Sequence, residues 1–347
     1  MAPIRVPEQV ETGRRGSSGW FMVPSRVQTI WRLRLLMNPM ARRRFLKCSV
    51  LGATAVSLGG QPAAAAQAAT LASGSLKNVG LIDTNVNLFG WPFRVLKYHE
   101  TKRLVAKLRK HRIVEAWAGS FEALLAKDIN GVNTRLADEC RQHGAGVLLP
   151  FGTVNLAWPD WEEDVRRCHE VLKMPGLRIY PGYQPFELDH PGMATLVRMT
   201  AERGLILQVV FGMEDPRVHH PLITVGPVTL GPLVQAVAAT PSAKVQLLHF
   251  PGWSPGDDFG RFLMHPNTAL DISRLEGNGA LGRMLGSITG LPSARAPVER
   301  ILFGSHAPYF PVETALLKLM ESPLDAAQLQ AIMRGNARRL LPRGKSN

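Results

Sequence analysis

Cysteine is nearly missing from this chain. Cys48, Cys140 and Cys168 are its three cysteines, with no CxxC pair and no even-numbered set, so a disulfide scaffold is excluded. No GxGxxG follows the first strand-like run, which removes the usual grip of an open sheet on a dinucleotide. A basic stripe with interleaved aromatics is lacking too. The net charge is +14, but ten Arg and Lys against Glu8 and Glu11 put +8 of it before residue 71. The remaining +6, spread over a large domain, is no nucleic-acid footprint. No apolar run is long enough to span a bilayer permanently, so no permanent membrane anchor is expected.

The composition, 45% hydrophobic and 20% charged over 347 residues, is that of a globular chain that one α/β barrel could fill. The first 69 residues read differently. Arg42-Arg43-Arg44-Phe45-Leu46-Lys47 precedes a mildly apolar run to Gly60, then Pro62 and alanines through Ala69. Charged, apolar and small-residue regions follow in the order of a secretory signal, and the arginine pair resembles a twin-arginine signal. That pattern predicts export to the periplasm through the twin-arginine machinery, with cleavage after Ala66 or Ala68. Residues 1–36 fit poorly ahead of such a signal. Met37 and Met40 are better starts than Met1, because they bring the arginines near the terminus. The expected division is 1–69 as upstream extension plus signal and 70–347 as barrel.

From residue 79 onward, strand-like runs alternate with helical periods. Strands are expected over 79–88, 113–118, 147–151, 177–180, 205–211, 244–250, 268–272 and 300–303. Helices are expected over 99–110, 121–140, 161–172, 193–203, 232–239, 280–288, 312–320 and 325–341. Eight short apolar strands with intervening helices predict parallel strands and a (β/α)8 TIM-like barrel. Cys140 and Cys168 fall on apolar helix faces, where packing is their expected role.

In such a barrel the strand ends share one mouth. The ends here carry Asn85 and Asn87, Ser120, Asn155, Arg178 and Tyr180, Glu214 with His219 and His220, His249, Asp271 and Ser273, then Ser305 and His306. Asn85 and Asn87 are two apart and project from one face of an extended strand. Arg178 and Tyr180, with Glu214 and Asp271, are candidates to bind substrate. Arg178 could instead complete a buried ion pair with Asp83 or Asp271. Trp91-Pro92-Phe93 reads as a turn packed over the mouth.

From Val79 to Leu341 the chain resembles the amidohydrolase-related family of metal-dependent hydrolases, a family with a decarboxylase branch. The resemblance rests on LIDTNVNLF, LLPFGTVN, GLRIYP, KVQLLHFPGW, TALDISR, RILFGSHAPYF and IMRGNARRLL, in family order. It implies a TIM-like barrel and a hydrolase, or decarboxylase, acting on a small carboxylate-bearing molecule. The departures fall on the metal ligands. The family's His-x-His is Asn85-Val86-Asn87 here, the strand-five histidine is absent from QVVF, and His306 replaces the strand-eight aspartate. His249 keeps the strand-six histidine.

A carboxamide oxygen is a poor zinc donor, and loss of the aspartate removes a general base. Three readings stay open. A relocated site for one divalent metal, zinc for example, could use His249 and His306 with His219, His220 or Glu214. Without metal, His249 or His306 could act as acid and base, Asn85 and Asn87 as oxyanion donors, and Arg178 as a carboxylate clamp. Lastly, the barrel could bind a ligand or partner without chemistry.

Overall fold

The computed structural model describes residues 80–251, 257–277, 279–286 and 297–342. The expected export segment over 1–69, its candidate starts and its cleavage sites lie outside the described residues. Eight parallel strands follow one another in sequence order around one sheet. They are β1 (Leu81–Leu88), β2 (Ile113–Ser120), β3 (Leu148–Gly152), β4 (Gly176–Ile179), β5 (Ile206–Val210), β6 (Lys244–Leu248), β7 (Thr268–Asp271) and β8 (Ile301–Leu302). The chain after β8 meets β1. Thr84 N–H donates to Phe303 O at 2.9 Å, His306 N–H to Asn85 O at 2.8 Å and Asn87 N–H to Ala307 O at 2.8 Å. The expected (β/α)8 barrel is the fold.

Helices cover the outside: α1 (Thr101–Lys110), α2 (Ile129–His143), α3 (Trp161–Glu170), α4 (Gly192–Glu202), α5 (Gly231–Ala238), α6 (Asp258–Met264), α7 (Ala280–Met284) and α8 (Val312–Glu321), then α9 (Ala326–Gln330) and α10 (Asn336–Leu340). The sequence shows why they form. In α1, Leu104, Val105 and Leu108 repeat at three and four residues and are buried, while Lys107, Arg109 and Lys110 meet the negative end of the helix dipole. In α2, the Asp128 side chain accepts the Gly131 N–H at 2.8 Å and starts the helix. Its stripe of Ile129, Val132, Leu136 and Cys140 then packs inward. Cys140 and Cys168 are buried in this helix–strand core, and burial pushes both thiols up to about 12. Among the described residues no helix is long and apolar enough to cross a membrane.

Three boundaries differ from the sequence reading. The helix expected over 121–140 divides into a 3-10 turn, Phe121–Leu124, and α2, because Ser120 and Asp128 each cap a separate start. Helix α6 was not expected: it has seven residues, with Phe259, Phe262 and Leu263 as its buried anchors, too few for a visible period. The final helix is interrupted by a π turn over Ala331–Gly335.

The barrel interior changes character along its axis. Ile82, Trp117, Phe151, Ile206, Ala269 and Leu302 share one apolar cluster, in which Trp117 and Phe151 stack with centroids 5.1 Å apart. A polar row also crosses the sheet. Arg178 on β4 registers with Gln208 on β5, and Gln208 with Gln246 on β6. Gln208 Nε2 donates to Thr84 O and to Gln246 Oε1, both at 2.8 Å, and Gln246 Nε2 donates to Thr84 Oγ1 at 2.7 Å. A second apolar cluster, with Trp91, Phe121, Tyr180, Met213, Leu248 and Tyr309, accompanies the mouth residues.

Candidate functional site

Strand β1 supplies the first groups. Asp83, Asn85 and Asn87 are each fully buried. Asp83 Oδ1 accepts the N–H of Asn85 at 3.1 Å and of Ser305 at 3.0 Å, stapling β1 to the turn after β8. Its Oδ2 has no hydrogen-bond partner. Burial, partly offset by bonds from Ser305 and Asn85, pushes this carboxyl up to about 7.

His249 directly follows β6, and His306 lies four residues beyond β8. Both take left-handed backbone, with φ of 58° and 59°. A non-glycine residue held there costs about 1 kcal/mol or more, so the surrounding bonds must fix it. For His249 that bond is from its N–H to Asp271 Oδ1 at 3.0 Å. Asn85 Nδ2 lies 2.6 Å from His249 Nε2 and 2.6 Å from Asp271 Oδ2, with Ser273 Oγ at 3.4 Å. Gly304 makes room for this carboxylate, because a Cβ there would fall 2.5 Å from Asp271 Oδ2. With Asn85 donating to His249 Nε2, the imidazole proton belongs on Nδ1. That nitrogen and Asn85 Oδ1 are buried without partners. Burial first, then the neighbouring His306 and Arg178, holds His249 well below the usual histidine range. Burial raises Asp271.

His306 has a different environment. Its Nε2 is 2.8 Å from Met213 O, and its Nδ1 is 3.3 Å from Asn87 Nδ2. Burial brings its pKa down to about 3. The ring stacks on Tyr309, 4.9 Å away and 18° from parallel, and Tyr309 OH donates to Glu214 Oε2 at 2.7 Å. Glu214 Oε1 is buried and unpartnered. Trp91 stands edge-on to Phe93, Phe121 and Tyr309. The Trp91-Pro92-Phe93 turn thus packs with the mouth residues. Arg94 lies over the Tyr309 ring at 4.6 Å.

Other expected residues fall elsewhere. Arg178 was expected to hold a substrate carboxylate or to pair with Asp83 or Asp271. Among the described residues it forms no ion pair with either carboxylate: its donors go to Gln208 Oε1 at 2.8 Å, Asn87 Oδ1 at 2.8 Å, Val86 O at 3.0 Å and Trp117 O at 3.2 Å. Acceptors on three strands, β1, β2 and β5, take four hydrogen bonds from the guanidinium inside the barrel. Tyr180 is buried beside it, its hydroxyl donating to Ser120 O at 3.2 Å. Asn155 turns back on its own loop, accepting the Ala157 N–H. His220 stacks on Phe93 at 4.9 Å and accepts the Leu222 N–H, while His219 ends a 3-10 turn. Among the described residues no group of three or more His, Cys, Asp or Glu is placed to hold a metal ion. The structure thus joins Asn85, Asn87, His249, Asp271 and His306 through direct contacts that involve neither His219 nor His220.

The sequence reading missed Tyr309, Gln208 and Gln246. The glutamines did leave a signal: each is a polar residue at the centre of a strand whose neighbours on both sides are apolar, ILQVV and KVQLL. Tyr309 left none, since its role depends on the turn that stacks it on His306.

Eight parallel strands with convergent polar side chains at their ends define a TIM-barrel protein with a candidate site at the strand ends. The sequence model of the Amidohydrolase family matches residues 83–343, and the chain belongs to that family. No curated protein matches it. Similar solved structures include 2,6-dihydroxybenzoate decarboxylase from Rhizobium, at 18% identity and TM-score 0.53, covering 74% of this chain and 98% of that one. Another is a dihydroxybenzoic acid decarboxylase from a Polaromonas species with bound manganese and 2-nitroresorcinol, at 16% identity and TM-score 0.59, covering 77% and 98%. A third is 5-carboxyvanillate decarboxylase from Sphingomonas paucimobilis, at 14% identity and TM-score 0.56, covering 76% and 99%. At these identities the likeness is one of fold.

Proposed function

We propose that this barrel binds a small aromatic carboxylate at its mouth and acts on it, by decarboxylation or hydrolysis, with its own acid–base groups and without the family's divalent metal. The observation that carries the reading is the Asn85–His249–Asp271 contact set, with His249 Nδ1 and Asn85 Oδ1 buried and unpaired. Each unpaired buried group costs about 1–3 kcal/mol, which a polar ligand would relieve. Trp91, Phe93, Tyr309 and Phe310 supply aromatic surface suited to a flat ring. The neighbouring decarboxylases are named for dihydroxybenzoate and carboxyvanillate, which supports the same ligand class.

The residues present do not fit a divalent ion. Zinc takes imidazole, thiolate or carboxylate, and β1 offers two carboxamides. Asn85 presents its Nδ2 to His249, both His306 nitrogens have partners, and the Arg178 guanidinium already occupies Asn87 Oδ1. In decarboxylation the carboxylate leaves as CO2 and the ring carbon takes a proton. Neutral His249 presents Nδ1–H to the ligand, and Asp271, held by Asn85 Nδ2 and the His249 N–H, relays the proton from water to the ring carbon. Hydrolysis would use the same pair to protonate the leaving group.

The experiment is a screen of hydroxybenzoates and aryl esters with the purified chain, comparing His249→Ala and Asp271→Asn. Turnover that falls at least tenfold in both variants supports the reading. A second reading, binding without chemistry, is favoured by the engagement of both His306 nitrogens. It predicts ligand affinity without turnover in the same screen. We also propose that the protein works after export, on the strength of Arg42–Lys47 alone.

A further inference from the structure

We propose that Arg178 is a positioning residue for the mouth: through the Asn87 carboxamide it keeps a donor on His306 Nδ1 and, together with the Met213 carbonyl, holds the ring proton on Nε2. The argument rests on two ends that each allow one direction. A guanidinium only donates, and a backbone carbonyl only accepts. Arg178 Nη1 donates to Asn87 Oδ1 at 2.8 Å, so the amide must present its Nδ2 on the other side. That Nδ2 lies 3.3 Å from His306 Nδ1. At the far end, His306 Nε2 lies 2.8 Å from Met213 O and must be the protonated nitrogen. The chain therefore runs one way, from Arg178 through Asn87 and His306 to the loop after β5.

The remaining contacts hold the source of this chain in place. Arg178 also donates to Val86 O, Trp117 O and Gln208 Oε1, and no carboxylate shares its hydrogen bonds. The charge is held by neutral dipoles, so the Asn87 oxygen is not exchanged for a stronger acceptor. Gly119, the register partner of Asn87 on β2, admits the guanidinium: a Cβ there would lie 2.6 Å from Arg178 Nη1.

The consequence is an asymmetric histidine pair. His306 spends both nitrogens on the protein and offers a ligand only its ring. His249 keeps Nδ1 free. This assignment stands apart from the question of turnover, because its readout is the proton position.

The test is ring-nitrogen NMR on the whole chain labelled with 15N-histidine. The wild type is expected to show His306 as a single Nε2–H tautomer. Asn87→Asp keeps an acceptor for Arg178 but removes the donor, so a proton should appear on His306 Nδ1. Arg178→Met frees the Asn87 amide to turn its oxygen toward Nδ1, where it competes with Met213 O for the ring proton, so a second, Nδ1–H tautomer should appear, and Arg178→Lys, which keeps a donor for the Asn87 oxygen, should restore one. A wild-type Nδ1–H tautomer, or a ring unchanged by Asn87→Asp, overturns the proposal. So does a folded Arg178→Met protein with the wild-type His306 signals. If Arg178→Met does not fold, the Arg178→Lys and Asn87→Asp pair decides: a single Nε2–H tautomer in the first and an Nδ1 proton in the second support it, and any other pattern overturns it.

Discussion

The rings of His249 and His306 stand 3.9 Å apart, centroid to centroid, and 50° from parallel. Two imidazolium ions at that distance inside a protein would repel by several kcal/mol. Burial keeps both neutral, with His306 brought down to about 3. Neither ring is therefore expected to titrate between pH 5 and 8. The histidine C2–H resonances of wild type, assigned with His249→Ala and His306→Ala, check this directly.

Asp83 gives stability an opposite pH dependence from the histidines. Its folded value, about 7, is above the model-peptide value of 3.8, so the native state holds a proton that the unfolded chain has released between those values. Its contribution is full below pH 3.8 and is lost as pH rises through about 7. The two histidines, depressed in the fold, contribute stability above pH 6.5 that is lost as pH falls toward their folded values. The opposing slopes flatten the wild-type profile. Asp83→Asn keeps an acceptor for Asn85 and Ser305 but removes one slope. Urea unfolding across pH 4–7 should show the variant gaining on wild type by roughly 1.4 kcal/mol per pH unit.

Gly119 and Arg178 should be energetically coupled. Gly119→Ala puts a methyl against the guanidinium and is expected to cost about 1–3 kcal/mol. In an Arg178→Ala background, which removes both the guanidinium and Cδ, the same substitution should cost much less. Denaturant unfolding of the two single variants and the double variant measures the difference. Additive losses would show that the methyl clashes elsewhere.

Metal should be dispensable. Elemental analysis of the purified chain is expected to find no stoichiometric zinc or manganese. Chelator should leave both Tm and ligand binding unchanged. Stoichiometric metal lost in a His249→Ala/His306→Ala double variant would instead establish a histidine-held metal centre.

Export makes a prediction about the mature terminus. N-terminal sequencing of the exported protein should begin after Ala66 or Ala68. An intact Arg42 in that material would remove the export reading.

The sequence by itself determined the architecture and half of the site. Eight apolar runs at helix-separated spacing leave a closed parallel barrel as the way to bury them, and strand ends in a barrel share one mouth. That logic brought forward Asn85, Asn87, His249, Asp271 and His306, which the structure joins through direct contacts. Only the tertiary structure decided what each group does. Strand position could not reveal that Arg178 lies below the mouth, because inward-facing residues at different heights share the same pattern. The left-handed turns at His249 and His306, the room left by Gly119 and Gly304, and the stacking of Tyr309 depend on contacts between strands far apart in sequence. Those contacts assign the protons, and proton positions separate a nitrogen that can meet a ligand from one committed to the fold.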